Sequence, residues 1–298
     1  MSAPIKFDLD GAEPLGKDTP TPADLTLKVR DMRFCRDERP GRWWAGGNPV
    51  ATAWHNSLSV AFPKGEAMFI EAIRAHREGT PPKLEAEIRA FVKQEANHTR
   101  EHVAFNNSAS EVGYDLSGIE AAIDRALQRT RSRPPIVNLA ATMALEHLTA
   151  LLARETLTNP KYMAGAHGEA AELWRWHAVE EIEHKGVACD TWLHATRGWR
   201  GWKRWKLKSF MALISTRNFM LGRVSETLAL LEQDGLAGAK WKWKLALYLL
   251  WSPGVLRRIL PAWIAFFLPG FHPWKRDDRA LISRHDSAYR DAVLPSAE

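Results

Sequence analysis

From residue 49 to about residue 195, apolar side chains recur at steps of three and four, the period of amphipathic helices rather than of strands. Phe69, Ile70 and Ile73 share a face with Glu66, which predicts a helix from Pro63 to about Glu78, because proline is favoured in a first turn. The segment Pro49 to Val60 reads as a separate short helix. Gly79-Thr80-Pro81-Pro82 stops the chain and permits a reversal. A second helix is expected from Pro82 to Ser108 along the line Leu84, Ile88, Phe91, and a short crossover helix from Ser117 to Thr130. Pro134-Pro135 restarts the chain for a third helix to about Leu157, with Leu139, Met143 and Ala150 in line, and Asn159-Pro160 ends it. The fourth is expected from Gly168 to Ala195. Residues 1–48, rich in Pro, Gly and charge with short β-like runs such as Leu25–Val29, read as an irregular arm wrapping the core. The expected architecture is all-α: arm 1–48, bundle 49–195, and a helical extension 196–298 packed on the bundle.

Glutamate and histidine alter that picture. Glu66, Glu95-x-x-His98, Glu146 and Glu181-x-x-His184 fall on the four bundle helices in that order, with Glu-to-Glu separations of 29 and 35 residues in the two halves. Residues three apart on a helix project from nearly one face, so each Glu-x-x-His delivers a carboxylate and an imidazole to one point. Two such helices plus one Glu from each of the others is how a ferritin-like four-helix bundle holds two metal ions. Glu95, His98 and His102 continue the apolar line of Leu84, Ile88 and Phe91. A charge on such a stripe costs several kcal/mol unless it is paired or bound to metal. His177, Glu181 and His184 form a second narrow stripe, and His177 adds a third imidazole. Imidazole with carboxylate suits iron or manganese, with zinc a further choice. His102 is an extra ligand, a base behind the ligands or a core histidine, and the second of these is favoured. Glu180 is a partner behind the ligands or a surface charge and, with His102, a candidate for catalysis. Glu183 is expected at the surface, and His55 and His147 are expected to be structural.

Four motifs carry a resemblance. Leu58 to Glu66, Gln94-Glu95-x-x-His98, Ala144-Leu145-Glu146-His147, and Trp176-His177-x-x-Glu180-Glu181-x-Glu183-His184-Lys185 resemble a bacterial family called predicted metal-dependent hydrolases, over about residues 50–195. The ligand spacing is also similar to that of the di-iron arylamine N-oxygenases, where a His-x-x-x-Glu-x-x-His helix supplies a third histidine. That resemblance implies seven ligands: Glu66, Glu95, His98, Glu146, His177, Glu181 and His184. Glu95 and Glu181 would bridge two iron ions, with Glu66 and Glu146 terminal. The reaction expected of such a site is oxidation with O2 and an electron donor. The aromatic amine substrate of those enzymes does not carry over, and an apolar, lipid-like substrate is what a membrane role of the basic tryptophan-rich tail would imply. The alternatives are a dinuclear hydrolase of an ester or amide, and a ferritin-like redox or iron-handling protein with no organic substrate.

Charge and tryptophan add a separate feature. The net charge is +6, and nine of the 14 tryptophans lie after residue 190. No Asp or Glu occurs from Thr191 to Ser225 or from Gly235 to Arg276. Trp199, Trp202 and Trp205 alternate with Arg and Lys, and Lys240-Trp241-Lys242-Trp243-Lys244 repeats the theme. Tryptophan with basic residues suits an anionic membrane surface, and the apolar run to Phe271 is too interrupted for a span. Packing within a helical layer or a homodimer contact is the plainer account, and nucleic acid is disfavoured. Cys35 and Cys189 lack metal or disulfide spacing, and Met1 to Lys17 lacks an apolar leader, so a cytoplasmic protein, peripheral on the inner face of the membrane, is expected.

Overall fold

The structure, a computed structural model, describes residues 20–36 and 38–294. The stretch Met1 to Lys17, discussed above for its lack of a leader, lies outside them. Ten α-helices are described: α1 (Pro49–Arg74), α2 (Pro82–Glu111), α3 (Ser117–Arg131), α4 (Pro135–Thr158), α5 (Gly168–His184), α6 (Val187–Ala195), α7 (Gly201–Gln233), α8 (Ala239–Leu250), α9 (Val255–Ala265) and α10 (Arg279–Asp286). Among the described residues there is no strand. Leu25–Val29 is irregular, and isolated bridges pair Arg30 with Val293 and Ala45 with Ala166.

α1 packs on α2, α4 on α5, and the contacts of α1 with α4 and α2 with α5 close a four-helix ring. Asn48 caps α1 by accepting from the Val50 and Ala51 amides, which satisfies donors that have no partner inside the helix. Gly79 takes φ +72°, the left-handed conformation that the α1–α2 reversal needs.

Two helix boundaries differ from expectation. α1 runs unbroken through Pro63 and begins at Pro49, so the two helices expected there are one. A mid-helix proline frees the carbonyl four residues earlier. Here that carbonyl belongs to Ser59, and Asn106 Nδ2 of α2 donates to it at 3.1 Å. The fourth helix, in contrast, is interrupted at Lys185-Gly186, leaving α5 and α6. The chain is pinned from both sides at this point. A Cβ on Gly186 would lie 2.8 Å from Trp274 and 2.9 Å from Thr21, and Lys185 Nζ donates to the Arg276 carbonyl and to Asp278 Oδ2.

The core falls into two apolar clusters. One gathers Trp54, Leu58, Ala61, Phe105, Leu148 and Ile182, and the other Phe69, Ile88, Phe91, Ala144 and Val187. On α1, α2 and α4 the predicted metal-binding Glu or Glu-x-x-His lies where the helix passes from one cluster to the other, and the α5 motif lies at the end of its helix, before the chain enters the second cluster at Val187 of α6. The 33-residue α7 packs against α1 and α4 and joins both clusters, through Leu230 and Leu231 at one end and Met211 and Ala212 at the other. Among the described residues, α4 has the length and hydropathy to cross a membrane, and 78% of its most apolar window is buried inside the fold.

Candidate metal centre

The structure brings all seven sequence-predicted metal ligands together in the bundle interior, each at most 4% exposed. Two groups form. Glu66, His98 and His177 each offer one atom within 4.8 Å of the others, and so do Glu95, Glu181 and His184. Glu146 Oε2 lies 3.4 Å from His184 Nε2, beside the second group. His98 Nδ1 stands 3.8 Å from Glu95 and 3.9 Å from Glu181, which links the two.

These atoms share an unusual property. Glu66 Oε1, both oxygens of Glu95 and of Glu146, Glu181 Oε2, His98 Nδ1 and His184 Nε2 are buried without a hydrogen-bond partner. Buried polar groups are almost always paired, and leaving one unmade costs about 1–3 kcal/mol. So many convergent orphan donors fit metal ions, which would satisfy them together. The charge balance agrees, since four carboxylates match two divalent cations.

The outward nitrogen of each imidazole is held. Gln94 Nε2 donates to the Lys28 carbonyl and to Glu183, which turns its amide oxygen toward His184 Nδ1 at 3.1 Å. His98 Nε2 donates to Glu180 Oε2 at 3.1 Å. His177 Nδ1 meets His102 Nε2 at 2.6 Å, and His102 Nδ1 meets Ser59 Oγ at 2.8 Å. Proton positions along that chain follow by elimination. Asn106 uses its NH2 on the Ser59 carbonyl, so its Oδ1 accepts from the Ser59 hydroxyl. Ser59 Oγ then accepts from His102 Nδ1–H, and His102 Nε2 accepts from His177 Nδ1–H. On that assignment His177 Nε2 carries a lone pair although it stands 3.0 Å from Glu181 Oε1, a contact that a metal ion between the two would relieve. In all three rings the nitrogen facing the centre is thereby free to ligate, the arrangement that orients metal-bound histidine elsewhere.

Burial dominates the electrostatics. It lifts the Glu66 and Glu95 carboxyls well above the ordinary range, reinforced for Glu66 by Glu181, and it lifts Glu146 to about 7. Burial drives His98 to about 3, His177 to about 4 and His102 well below its ordinary value. Glu181 and His184 move the other way. Their mutual attraction overcomes burial, holding the carboxyl low and the imidazole high.

Glu180 is wholly buried and meets His98, a partner behind the ligands rather than a surface charge. Glu183 corrects the sequence reading: it is 2% exposed, not on the surface. The reason is Arg30, whose fully buried guanidinium donates to Glu180, to both oxygens of Glu183 and to Asp286. Two adjacent buried carboxylates are tolerable only beside such a cation. His55 and His147 lie outside the centre, on the Ala51 and Ala262 carbonyls. Arg30 and Asn106 were not singled out from the sequence, and Ser59 and Gln94 were read only as parts of the motifs, with no role. Gln94 opens the first Glu-x-x-His motif, whereas Arg30 sits in the irregular arm with no periodicity to mark it.

Two cavities reach the centre. One of about 420 Å³ lies between α1, α3, α4 and α7, mostly apolar, with Glu66 in its wall. Another of about 20 Å³ touches His177 and Glu181, and Phe62 and Thr149 border both.

Residues 28–277 match the model of a family described as predicted metal-dependent hydrolase. The chain belongs to that family. The match to the predicted metal-dependent hydrolases takes in the four ring helices, Arg30 of the arm and the helices α7–α9. No curated protein and no solved structure matches the chain.

Proposed function

We propose that this family member is a dinuclear metal enzyme that oxidises an apolar substrate with O2. Glu66, Glu95, His98, Glu146, His177, Glu181 and His184 are the ligands in this reading. The observation that carries it is the Glu66–His98–His177 group. Two histidines and one carboxylate are the donor set that non-haem iron oxygenases use. When bound, the iron pair supplies electrons to O2. The chain's own residues do the rest. Glu180, Gln94 and His102 orient the imidazoles, and the two apolar clusters exclude water. The 420 Å³ pocket, in the size range of ligand sites, admits substrate beside Glu66. His102 and Glu180 are positioning residues here, because each acts through a histidine ligand. An external electron donor completes the cycle.

The family description favours a second reading, hydrolysis, in which the metals act as Lewis acids on an ester or amide. The one serine–histidine contact at the centre does not help it. The Ser59 hydroxyl proton is engaged on Asn106, and neither Ser59 nor His102 lines either cavity. The test is to load the protein with Fe(II) without oxygen and then admit O2. Oxygen uptake with a new visible absorption supports oxidation. Inert iron, together with zinc- or manganese-supported ester cleavage lost in Glu66→Ala, would replace it with hydrolysis.

A further inference from the structure

We propose that the outer faces of α7, α8 and α9 form one surface that docks on an anionic lipid bilayer. Some late tryptophans are ordinary core, such as Trp192 and Trp274, which are buried. Others are not: Trp243 is 65% exposed, Trp251 72% and Phe210 57%. The exposed positions follow helical spacing. Trp243, Leu247 and Leu250 make a stripe on α8, and Leu260, Ile264 and Leu268 continue one from α9. α9 is tied to α7, since Trp205 Nε1 donates to the Phe267 carbonyl and Trp263 Nε1 to Thr216. α8 packs on α9. The stripes lie on helices packed against one another, and exposed apolar area of this kind marks an interaction site.

Charge selects the occupant. Lys203, Lys206, Lys242, Lys244, Arg257 and Arg258 are exposed around the stripes. The sequence places no acidic residue from Thr191 to Ser225 or from Gly235 to Arg276. A second copy of the chain would bring cation against cation. An anionic bilayer offers the complement, with tryptophan at headgroup depth and leucine below. None of α7, α8 or α9 has the character of a membrane span, so the helices would lie in the plane of the interface.

The geometry also bears on substrate delivery, a consequence that rests on reading the 420 Å³ pocket as the substrate's. Asn218 and Leu221 of α7 are exposed and line that pocket. Docking would bring its rim to the bilayer, so that a lipid-borne substrate passes directly inward.

The experiment is co-sedimentation of the full chain with phosphatidylcholine vesicles, with and without phosphatidylglycerol, at low salt. The expected result is binding to the anionic vesicles, a blue shift of tryptophan emission, and about tenfold or more weaker binding to pure phosphatidylcholine. Trp243→Glu/Trp251→Glu and, separately, Ile264→Glu should each weaken binding by about tenfold or more while far-UV circular dichroism stays unchanged. Protein that remains in the supernatant with anionic vesicles overturns the proposal. So does a dimer that Ile264→Glu splits in the absence of any vesicle binding. Glu181→Ala protein is run alongside with its metal content measured. Lost metal with retained docking leaves both readings standing, retained metal with docking overturns the metal reading alone, and lost metal with no docking by either protein overturns the docking proposal alone.

Discussion

α2 and α5 carry the same motif and support each other reciprocally. The residue before the glutamate in each motif holds the histidine of the other: Gln94 of α2 meets His184, and Glu180 of α5 meets His98. The two halves part company in charge. Gln94 is neutral, whereas Glu180 is a carboxyl lifted by burial to about 7 against the pull of Arg30. The extra imidazoles also fall differently. His177 precedes its glutamate by one turn and points into the centre, while His102 follows its histidine by one turn and stands behind His177. A near-symmetric backbone thus holds two unlike donor groups, one with two imidazoles and one with a single imidazole among carboxylates.

The largest test of that comparison is Glu181→Ala. Glu181 lies in one group and close to His98 of the other. The variant should lose at least one metal per chain by elemental analysis of protein purified without added metal. Retention of both would remove the assignment. Next comes Arg30→Met, which strands Glu180 and Glu183 in the interior. Breaking such a buried pair costs about 3–5 kcal/mol, to be read by denaturant unfolding, and the loss should fall on the α5 side of the centre. A change below about 1 kcal/mol would mean that the two carboxylates do not depend on Arg30.

A buried imidazole outside both motifs provides the control. Burial holds His55 at about 4, opposed by its bond to the Ala51 carbonyl. The unfolded chain takes up this proton near pH 6.5 and the folded one only near 4, so stability is full above 6.5 and falls as the pH drops toward 4. The expected loss is about 3 kcal/mol over that window. Unfolding curves of the protein and of His55→Gln should therefore converge as the solution is acidified. A constant gap between them would exclude the titration. The smallest effect is expected from exchanging the outer partners. Glu180→Gln and Gln94→Glu should each lower metal affinity about 10–100-fold, and the two should affect different metals of the pair. Equal loss of both metals in either variant would show that the halves are not separately tuned.

Much of this was legible in the residues. The ring helices, their order and six of the donors followed from helical spacing and from glutamates set among leucine and phenylalanine, and the full set of seven was implied by the resemblance to the arylamine N-oxygenases. Pro63 misled because local propensity places proline at a helix start, and only Asn106, 43 positions away on α2, makes it tolerable inside one. Gly186 was silent for a similar reason: the groups that crowd it, Thr21 and Trp274, are distant in sequence. Glu183 appeared superficial because a charge on a helix usually is, and its partner Arg30 lies more than 150 residues earlier.

Arg30 has a consequence for how the protein is made. It joins Glu180 and Glu183 to Asp286, and nearby the Leu294 amide donates to the Val29 carbonyl. The segment that locks the second motif from beneath is thus synthesised about a hundred residues after that motif has left the ribosome. During translation the four ring helices can assemble while Glu180 and Glu183 lack their full anchor.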